Sequence, residues 1–273
     1  VFFALLIIKL SNSFIYIYTF FRVLGYLVVL YIVSQRTNPA HKLAWVIPIL
    51  IFPVFGGTLY VLLRTTGANK RFKVNVEAFY QRVLSLLVQD LDIIDEIKND
   101  DKNIANQSRY ISAASYFPVY RNTETQYFSS GEAYFIKIVE ELKKAKEFIF
   151  IETFIIQEGL MWNTVLNILE EKARHGVDVR VMYDDAGCFT KLPHRYYEKL
   201  RKMGIKCYVF NPFTPLLEIK MNNRDHRKIT VIDGHTAFTG GINFADEYIN
   251  AYEKYGHWKD AAILVKGEAV WNM

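Results

Sequence analysis

Two long apolar runs near the front of the chain restrict its fold more than any other feature. Phe14 to Val33 is interrupted only by Gly25 and one charge, Arg22, and Leu43 to Leu63 has no charge at all. A segment lying in hydrocarbon must satisfy every backbone N–H and C=O internally, so such runs have to be helices. Each is about 30 Å long as a helix, enough to cross the hydrocarbon core. Pro48, Pro53, Gly56 and Gly57 fall inside the second run; they would break a soluble helix but are tolerated in a packed transmembrane one. Tyr16, Tyr18, Tyr31, Trp45 and Tyr60 lie near the run ends, where amphipathic rings favour the membrane–water boundary. Val1 to Ile8 reads as the tail of an earlier span. Residues 1–64 are therefore expected to be a transmembrane anchor, with complete spans at about 14–33 and 43–63 behind the remnant at 1–8. A pair of buried core helices fits two such runs in close succession poorly.

Arg64, Lys70, Arg71 and Lys73 follow the second run, against Arg36 and Lys42 in the short connection. That bias places the larger domain on the cytoplasmic side. The chain has 273 residues, enough for one or two domains with a real core. Hydrophobic residues make up 51% and aromatics 15%, above the usual soluble share and suited to partial contact with lipid. A net charge of +5 matches an anionic membrane surface better than it argues for nucleic acid. Cys188 and Cys207 are too few for a disulfide framework and are read as reduced thiols. The chain starts at Val1 inside an apolar run, which reads as the front end of a fragment.

Beyond about Val74 the pattern changes. Glu77 to Ile97 reads as an amphipathic helix and Lys98 to Ser108 as a polar linker, so residues 65–108 form a juxtamembrane helix and linker. In residues 109–273, helix-like and strand-like segments alternate. Helices are expected at Glu132–Glu147, Trp162–His175 and Arg195–Met203. Strands are expected at Phe148–Ile156, Val177–Tyr183, Lys206–Phe210, Arg227–Ile232, Thr236–Thr239 and Ala261–Val265. Such alternation predicts an α/β domain with a mostly parallel or mixed sheet flanked by helices.

The chemistry-bearing run is Asn223-Arg224-Asp225-His226-Arg227-Lys228-Ile229-Thr230-Val231-Ile232-Asp233-Gly234, followed six residues after the aspartate by Gly240-Gly241-Ile242-Asn243. An imidazole can attack phosphorus directly, giving a phosphohistidine and expelling an alcohol. Lys228, two residues on, faces the same way on a strand and can hold the non-bridging oxygens as they gather charge. Gly240 and Gly241 let backbone N–H groups approach a phosphate ahead of Asn243. No metal or other cofactor is required, because histidine and lysine fill the roles of a metal pair. Asp233 closes the motif; in Asp-Gly after an apolar strand it reads as a turn-former before a catalyst. Asp260 is the better candidate for orienting the imidazole, against the alternative of a solvated turn carboxylate. Glu152 lies in a strand apolar on both faces and needs a partner; it either braces the floor of the site or is paired structurally. Arg227, inside the motif, joins Gly240, Gly241 and Glu152 as a candidate substrate-binding residue. The loop Asn211-Pro212-Phe213-Thr214-Pro215-Leu216-Leu217 either dips into the bilayer or packs on the core. His257-Trp258-Lys259 repeats H-x-K without the rest of the spacing and is a decoy of interfacial type.

The spacing H-x-K-x4-D-x6-G-G-x-N resembles that of the phospholipase D superfamily. With the anchor, and with the segments Asn38-Pro39-Ala40-His41-Lys42-Leu43-Ala44-Trp45, Pro53-Val54-Phe55-Gly56-Gly57, Phe117-Pro118-Val119-Tyr120-Arg121-Asn122 and Val181-Met182-Tyr183-Asp184-Asp185-Ala186-Gly187-Cys188, the chain is similar to the amino-terminal half of a bacterial cardiolipin synthase. The resemblance implies a protein of the bacterial cell (inner) membrane that transfers a phosphatidyl group between two phosphatidylglycerol molecules and releases glycerol. It implies His226 as nucleophile, Lys228 and Asn243 on the phosphate, and a carboxylate some thirty residues downstream, here Asp260, orienting the histidine. The family carries the H-x-K-x4-D motif twice and this chain once. The second catalytic domain, with its proton-transferring histidine, is therefore missing, and losing a general acid–base alone costs roughly 10²–10⁴-fold.

The expected partners are phosphatidylglycerol and anionic membrane lipids, together with a missing carboxy-terminal half or a second copy of this chain; nucleic acid is not expected. Two further functions stay open: a homodimeric membrane-bound phosphodiesterase, either lipid hydrolase or nuclease, and a non-catalytic binder of anionic lipid.

Overall fold

The structure is a computed structural model and describes residues 2–36, 38–64, 79, 81–87, 89–212 and 224–273, with the side chains of 2–13 and 61–64 left aside. The expected helix start at Glu77, the linker residues 65–78 and residues 213–217 of the apolar loop lie outside the described residues. The chain divides into two compact units, Val1–Phe79 and Tyr80–Met273.

The first unit is helical. Helix α1 (Phe2–Ser34) is continuous over 33 residues, about 50 Å. Residues 2–8 therefore belong to the same helix as 14–33 and are not the tail of a separate span. Its stretch Phe14–Ser34 has a mean hydropathy of 1.8 with only 11% of residues buried. Apolar side chains such as Phe14, Leu27 and Leu30 point away from the protein, unlike those of a core helix, and are suited to lipid.

The second run is not one helix. It forms α2 (Pro39–Ile51) and α3 (Pro53–Arg64), broken at Phe52. The break follows from Pro53, whose ring removes the N–H that would continue the ladder and disfavours helical geometry in the residue before it. Phe52 has φ −126° and closes α2 through its N–H to the Pro48 carbonyl at 2.9 Å. The start of α2 is set by Asn38, whose side chain accepts the Ala40 N–H at 2.9 Å, with Pro39 in the first turn. Across the break the helices pack: Trp45 meets Tyr60 edge-on at 5.4 Å.

In the second unit a helical stretch at 81–84 ends before α4 (Leu91–Asp100), so the helix expected to run to Ile97 is broken, and α5 (Lys102–Ser115) follows. The polar stretch expected to be a linker is thus largely helix. Asp101 ends one helix and caps the next, its carboxylate accepting the N–H groups of Asn103 and Ile104 at 2.7 and 3.3 Å. Low hydrophobicity hid α5, and capping reveals it.

Seven strands form one mixed sheet: β1 (Thr123–Phe128), β2 (Phe148–Thr153), β3 (Asp178–Asp184), β4 (Lys206–Phe210), β5 (Ile229–Ile232), β6 (Thr236–Gly240) and β7 (Ala262–Gly267), in the order β1-β7-β6-β5-β2-β3-β4. Strands β2, β3 and β4 are parallel, and every other pairing is antiparallel. The parallel crossovers are α7 (Leu160–Arg174) and α9 (Tyr196–Lys202); α6 (Gly131–Lys144) joins β1 to β2, and a short turn of helix, α8 (Asp185–Cys188), follows β3. Strand β1 carried no sequence expectation because four of its six residues are exposed in succession, so it lacks alternation.

Strand β2 shows why the core lies where it does. Ile149, Ile151 and Thr153 are buried on one face, while Phe148, Phe150 and Glu152 share the other. Ile149 and Ile151 join Val179, Val181, Phe238 and Leu264 against Ile138, Leu142, Val165 and Leu169 from α6 and α7. Trp162, fully buried, donates its indole N–H to the Tyr196 hydroxyl at 2.9 Å and so keeps its one polar atom satisfied. Registers Glu152↔Ile229, Ile229↔Thr239 and Gly240↔Ala262 bring the C-terminal ends of β2 and β6 and the starts of β5 and β7 to one edge of the sheet. The candidate site is built along that edge.

Candidate active site

His226 and Lys228 lie in an extended segment just before β5, and not within the strand. Asp184, fully buried at the end of β3, fixes that segment. Its carboxylate accepts the Asp225 N–H at 3.0 Å and the Arg224 guanidinium at 3.3 Å while capping α8 through Ala186 and Gly187. Sequence reading passed over Asp184. Its signal was an acidic residue at the end of an apolar strand, followed by a Gly-containing turn.

The His226 side chain is exposed, with its ring 4.7 Å from that of Phe154. Lys228 is 7% exposed, and its ammonium donates to the His226 carbonyl at 2.6 Å and stands 5.4 Å from the centre of the same Phe154 ring. One aromatic wall thus supports both members of the H-x-K pair. Burial depresses the Lys228 pKa, and the neighbouring Asp260 and Asp225 charges offset it only in part.

Asn243 is 3% exposed, and its amide is engaged with the protein. Its Oδ1 accepts the Ile155 N–H at 2.9 Å and the Thr153 hydroxyl at 3.4 Å, and its Nδ2 donates to the Tyr248 hydroxyl at 2.7 Å. These bonds pin the chain leaving β2, which continues beside Phe244 through a parallel bridge at Ile156. Asn243 thereby positions the Phe154 wall. Tyr248 is not marked by the sequence, since an isolated tyrosine carries no pattern.

The glycines are needed for close packing within the protein. A Cβ at Gly240 would meet the Ala261 carbonyl oxygen at 2.4 Å, and one at Gly241 would meet the Asp260 carboxylate at 2.0 Å. The Gly241 N–H donates to the Ala261 carbonyl at 3.0 Å and so is already used. This corrects the reading for Gly241, whose N–H was expected to be open to a phosphate. Asp260 accepts the Ala261 N–H at 2.8 Å and the Trp258 indole N–H at 3.4 Å, and its charge acts on Lys228. Among the described residues it makes no hydrogen bond to the His226 ring.

Asp233 is a correction. It sits at the far end of β5, about 17 Å from Lys228 along an extended chain. There, at φ +51°, its carboxylate accepts the N–H groups of Lys146, Glu147 and Phe148 at 2.9, 2.8 and 2.9 Å. Burial raises its pKa, but those three donors outweigh burial and leave it below the usual range. It fixes the start of β2 and takes no part in the site.

Glu152 and Arg227 do meet. The Arg227 guanidinium contacts Glu152 at 2.8 Å and grips both oxygens of Asp225 at 3.0 and 3.2 Å. Glu152 is pushed up to about 7 by burial and by the adjacent Asp225 carboxyl, while Arg227 pulls against them. Burial works against Asp225 too, but Arg227 and the hydrogen bond with Glu152 bring it down to about 2. Asp225, buried and flanking His226, is the central residue of this cluster, and no sequence pattern marks it separately from the motif. Arg227 stays two-thirds exposed while its fork is held from below.

A mixed sheet with an H-x-K pair at one edge, beside a Gly-Gly turn and a buried asparagine, defines a phospholipase D-type α/β domain. Residues 138–265 match the family described as "Cardiolipin synthase, PLD-like domain", and residues 14–64 match "Phospholipase_D-nuclease N-terminal". The chain is 40% identical over 242 residues to an uncharacterized protein of Streptococcus mutans, covering 89% of this chain and 52% of that one. It is 32% identical over 254 residues to cardiolipin synthase 2 of Bacillus cereus, covering 93% and 49%. NucT from Helicobacter pylori is similar in fold with a TM-score of 0.43 at 13% identity, over 55% of this chain and 90% of that one. The chain belongs to the cardiolipin synthase family of the phospholipase D superfamily. It spans about half the length of the curated relatives it matches.

Proposed function

We propose that this chain supplies the nucleophilic half of a membrane-bound phosphatidyltransferase that makes cardiolipin and glycerol from two phosphatidylglycerol molecules. The observation that carries this reading is the pairing of an exposed His226 with a buried Lys228 on one aromatic wall, beside the Asp260–Gly241 contact. The His226 imidazole attacks the phosphorus of one phosphatidylglycerol. The P–O bond to glycerol breaks, and the departing oxygen takes a proton from an acid outside this H-x-K pair. The hydroxyl of a second phosphatidylglycerol then attacks the phosphohistidine, gives up its proton to the same group, and restores the imidazole. Lys228 holds the non-bridging oxygens, where charge gathers during both displacements. Burial strengthens that attraction, because less water screens it.

The acid comes from a second H-x-K motif, carried either on a carboxy-terminal half or on a second copy of this chain. The apolar helix α1 holds the domain at the membrane where its substrates lie, with the domain on the cytoplasmic side. The test is reconstitution of the chain with phosphatidylglycerol beside a His226→Ala control, following cardiolipin and free glycerol together. Equal amounts of both products from the unmutated chain alone support transfer by an assembled pair of half-sites. Product only after addition of a second-motif chain supports an incomplete half. Undiminished product from His226→Ala in either setting overturns the mechanism.

A further inference from the structure

The edge of the sheet that carries the H-x-K pair continues into a second structure which the proposed chemistry does not use. Residues 251–257 form a loop closed at its base by Asn250. That side chain accepts the Trp258 N–H at 2.7 Å and donates to the Trp258 carbonyl at 3.0 Å and to Glu132 at 2.7 Å. A loop clamped in this way keeps its shape without a core of its own. It displays Tyr252 and Tyr255, 41% and 77% exposed, rings with an apolar body and a polar tip.

The cations around these rings are ordered. Lys254 pairs with the buried Glu247 at 2.8 Å and lies 5.3 Å from the centre of the Tyr255 ring, and Tyr252 donates to the other Glu247 oxygen at 3.3 Å. Glu247 is thus consumed within the protein. Lys259, just past the base of the loop, is exposed. Lys191, on the loop after β3, comes close enough to Lys254 that the neighbouring ammonium pushes its pKa down. Phe189, 61% exposed, stands on that second loop. Two adjacent loops therefore offer aromatic rings interleaved with cations, and Glu253 is the one exposed acid on the stretch 251–259.

We propose that these two loops, Phe189–Lys191 and Tyr252–Lys259, form a docking surface for the headgroup layer of an anionic bilayer, turning the H-x-K edge toward the lipid. Amphipathic rings and lysines are the residue types that settle at that depth, the rings in the interface and the ammonium groups on anionic headgroups. The occupant is a bilayer and not a soluble protein, because the same chain carries α1, a helix long and apolar enough to cross one. The surface also connects to the site. The Tyr255 ring lies 6.4 Å from Trp258 and Trp258 lies 4.8 Å from Tyr248, whose hydroxyl accepts from Asn243. Trp258 in turn donates to Asp260. The inference deepens the phosphatidyltransferase reading, but its test uses no turnover.

The full chain carries two cysteines, both buried, so a single introduced thiol can be labelled selectively. Tyr255→Cys, bearing a polarity-sensitive fluorophore, is reconstituted into bilayers of phosphatidylcholine alone or mixed with phosphatidylglycerol, each containing a headgroup-level nitroxide lipid quencher. Tyr127→Cys, at an exposed position on β1, is the reference. The expected result is stronger quenching at 255 than at 127 in the anionic bilayers, with a smaller excess in phosphatidylcholine. Lys191→Gln and Lys259→Gln should each lower the ratio of docked to undocked loops about fivefold. Quenching at 255 no greater than at 127 overturns the proposal, and so does an excess indifferent to phosphatidylglycerol. An inactive chain that still shows the anionic excess separates failure of the catalytic reading from failure of this one.

Discussion

The carboxylate of Asp260 lies directly against the Cα of Gly241, at a position where a Cβ would come within 2.0 Å of Oδ1 and 2.7 Å of Cγ. Glycine at 241 is therefore what allows an acid to sit beside Lys228. Gly241→Ala is expected to keep the fold and to lower phosphatidyl transfer roughly 10²-fold, because a displacement on the order of 1 Å near the reacting atoms has that effect. Circular dichroism together with cardiolipin formation checks this; full activity in a folded Gly241→Ala protein would deny Asp260 any role in the site.

Lys228 works in a confined place, held by the His226 carbonyl and the Phe154 ring. Lys228→Arg keeps the charge, but a planar fork is too large for the same space and cannot replace a compact ammonium. It should reduce the rate by about 10²–10³-fold, as expected on losing a group that stabilises transition-state charge. The turnover rate with phosphatidylglycerol at saturation is the quantity to compare.

Asp233→Ala should cost about 1–3 kcal/mol of stability, because three N–H groups lose their acceptor. Its folded-state pKa is lowered, so the native state binds fewer protons than the unfolded chain. That stabilisation is present above the ordinary carboxylate range, near pH 4, and is lost as acid protonates the folded form. Melting curves taken as the pH falls below about 4 should therefore draw together for parent and variant. A constant gap between them would mean the carboxylate is not what the N–H groups hold.

Glu152 runs the other way. Its pKa is raised from 4.5 to about 7, so the native state binds more protons than the unfolded chain between those values. Its contribution to stability is complete below 4.5 and is lost as pH rises through about 7. Glu152→Gln, which keeps the shape without the proton, should flatten the stability profile across that interval. A profile unchanged by the substitution would show that Glu152 is ionised throughout.

Much of the α/β domain was legible because its signals are local. Lys206–Phe210 was read with the same bounds that β4 has, and β2, β3 and the helices α6, α7 and α9 were each read within a few residues of their ends. Their apolar periodicity is imposed by the faces they bury. Strand β1 and helix α5 lack that periodicity, and Pro53 divides a run that hydropathy alone joins. At the site, the H-x-K spacing brought His226 and Lys228 into view, since two residues on an extended segment share a face wherever the segment lies.

A basic chain with long apolar runs ahead of an α/β frame that bears one H-x-K motif could be read along the sequence, because composition, hydropathy and spacing are properties of neighbours along the chain. What those residues touch was set by the packing of the folded domain. It carried Asp233 to the wrong end of β5 for catalysis, turned Asn243 inward onto Ile155 and Tyr248, and set Asp225 beneath Arg227 and against Glu152. Such partnerships join residues up to some ninety positions apart. They depend on strand order and register, which are fixed when the sheet closes and the helices pack on it.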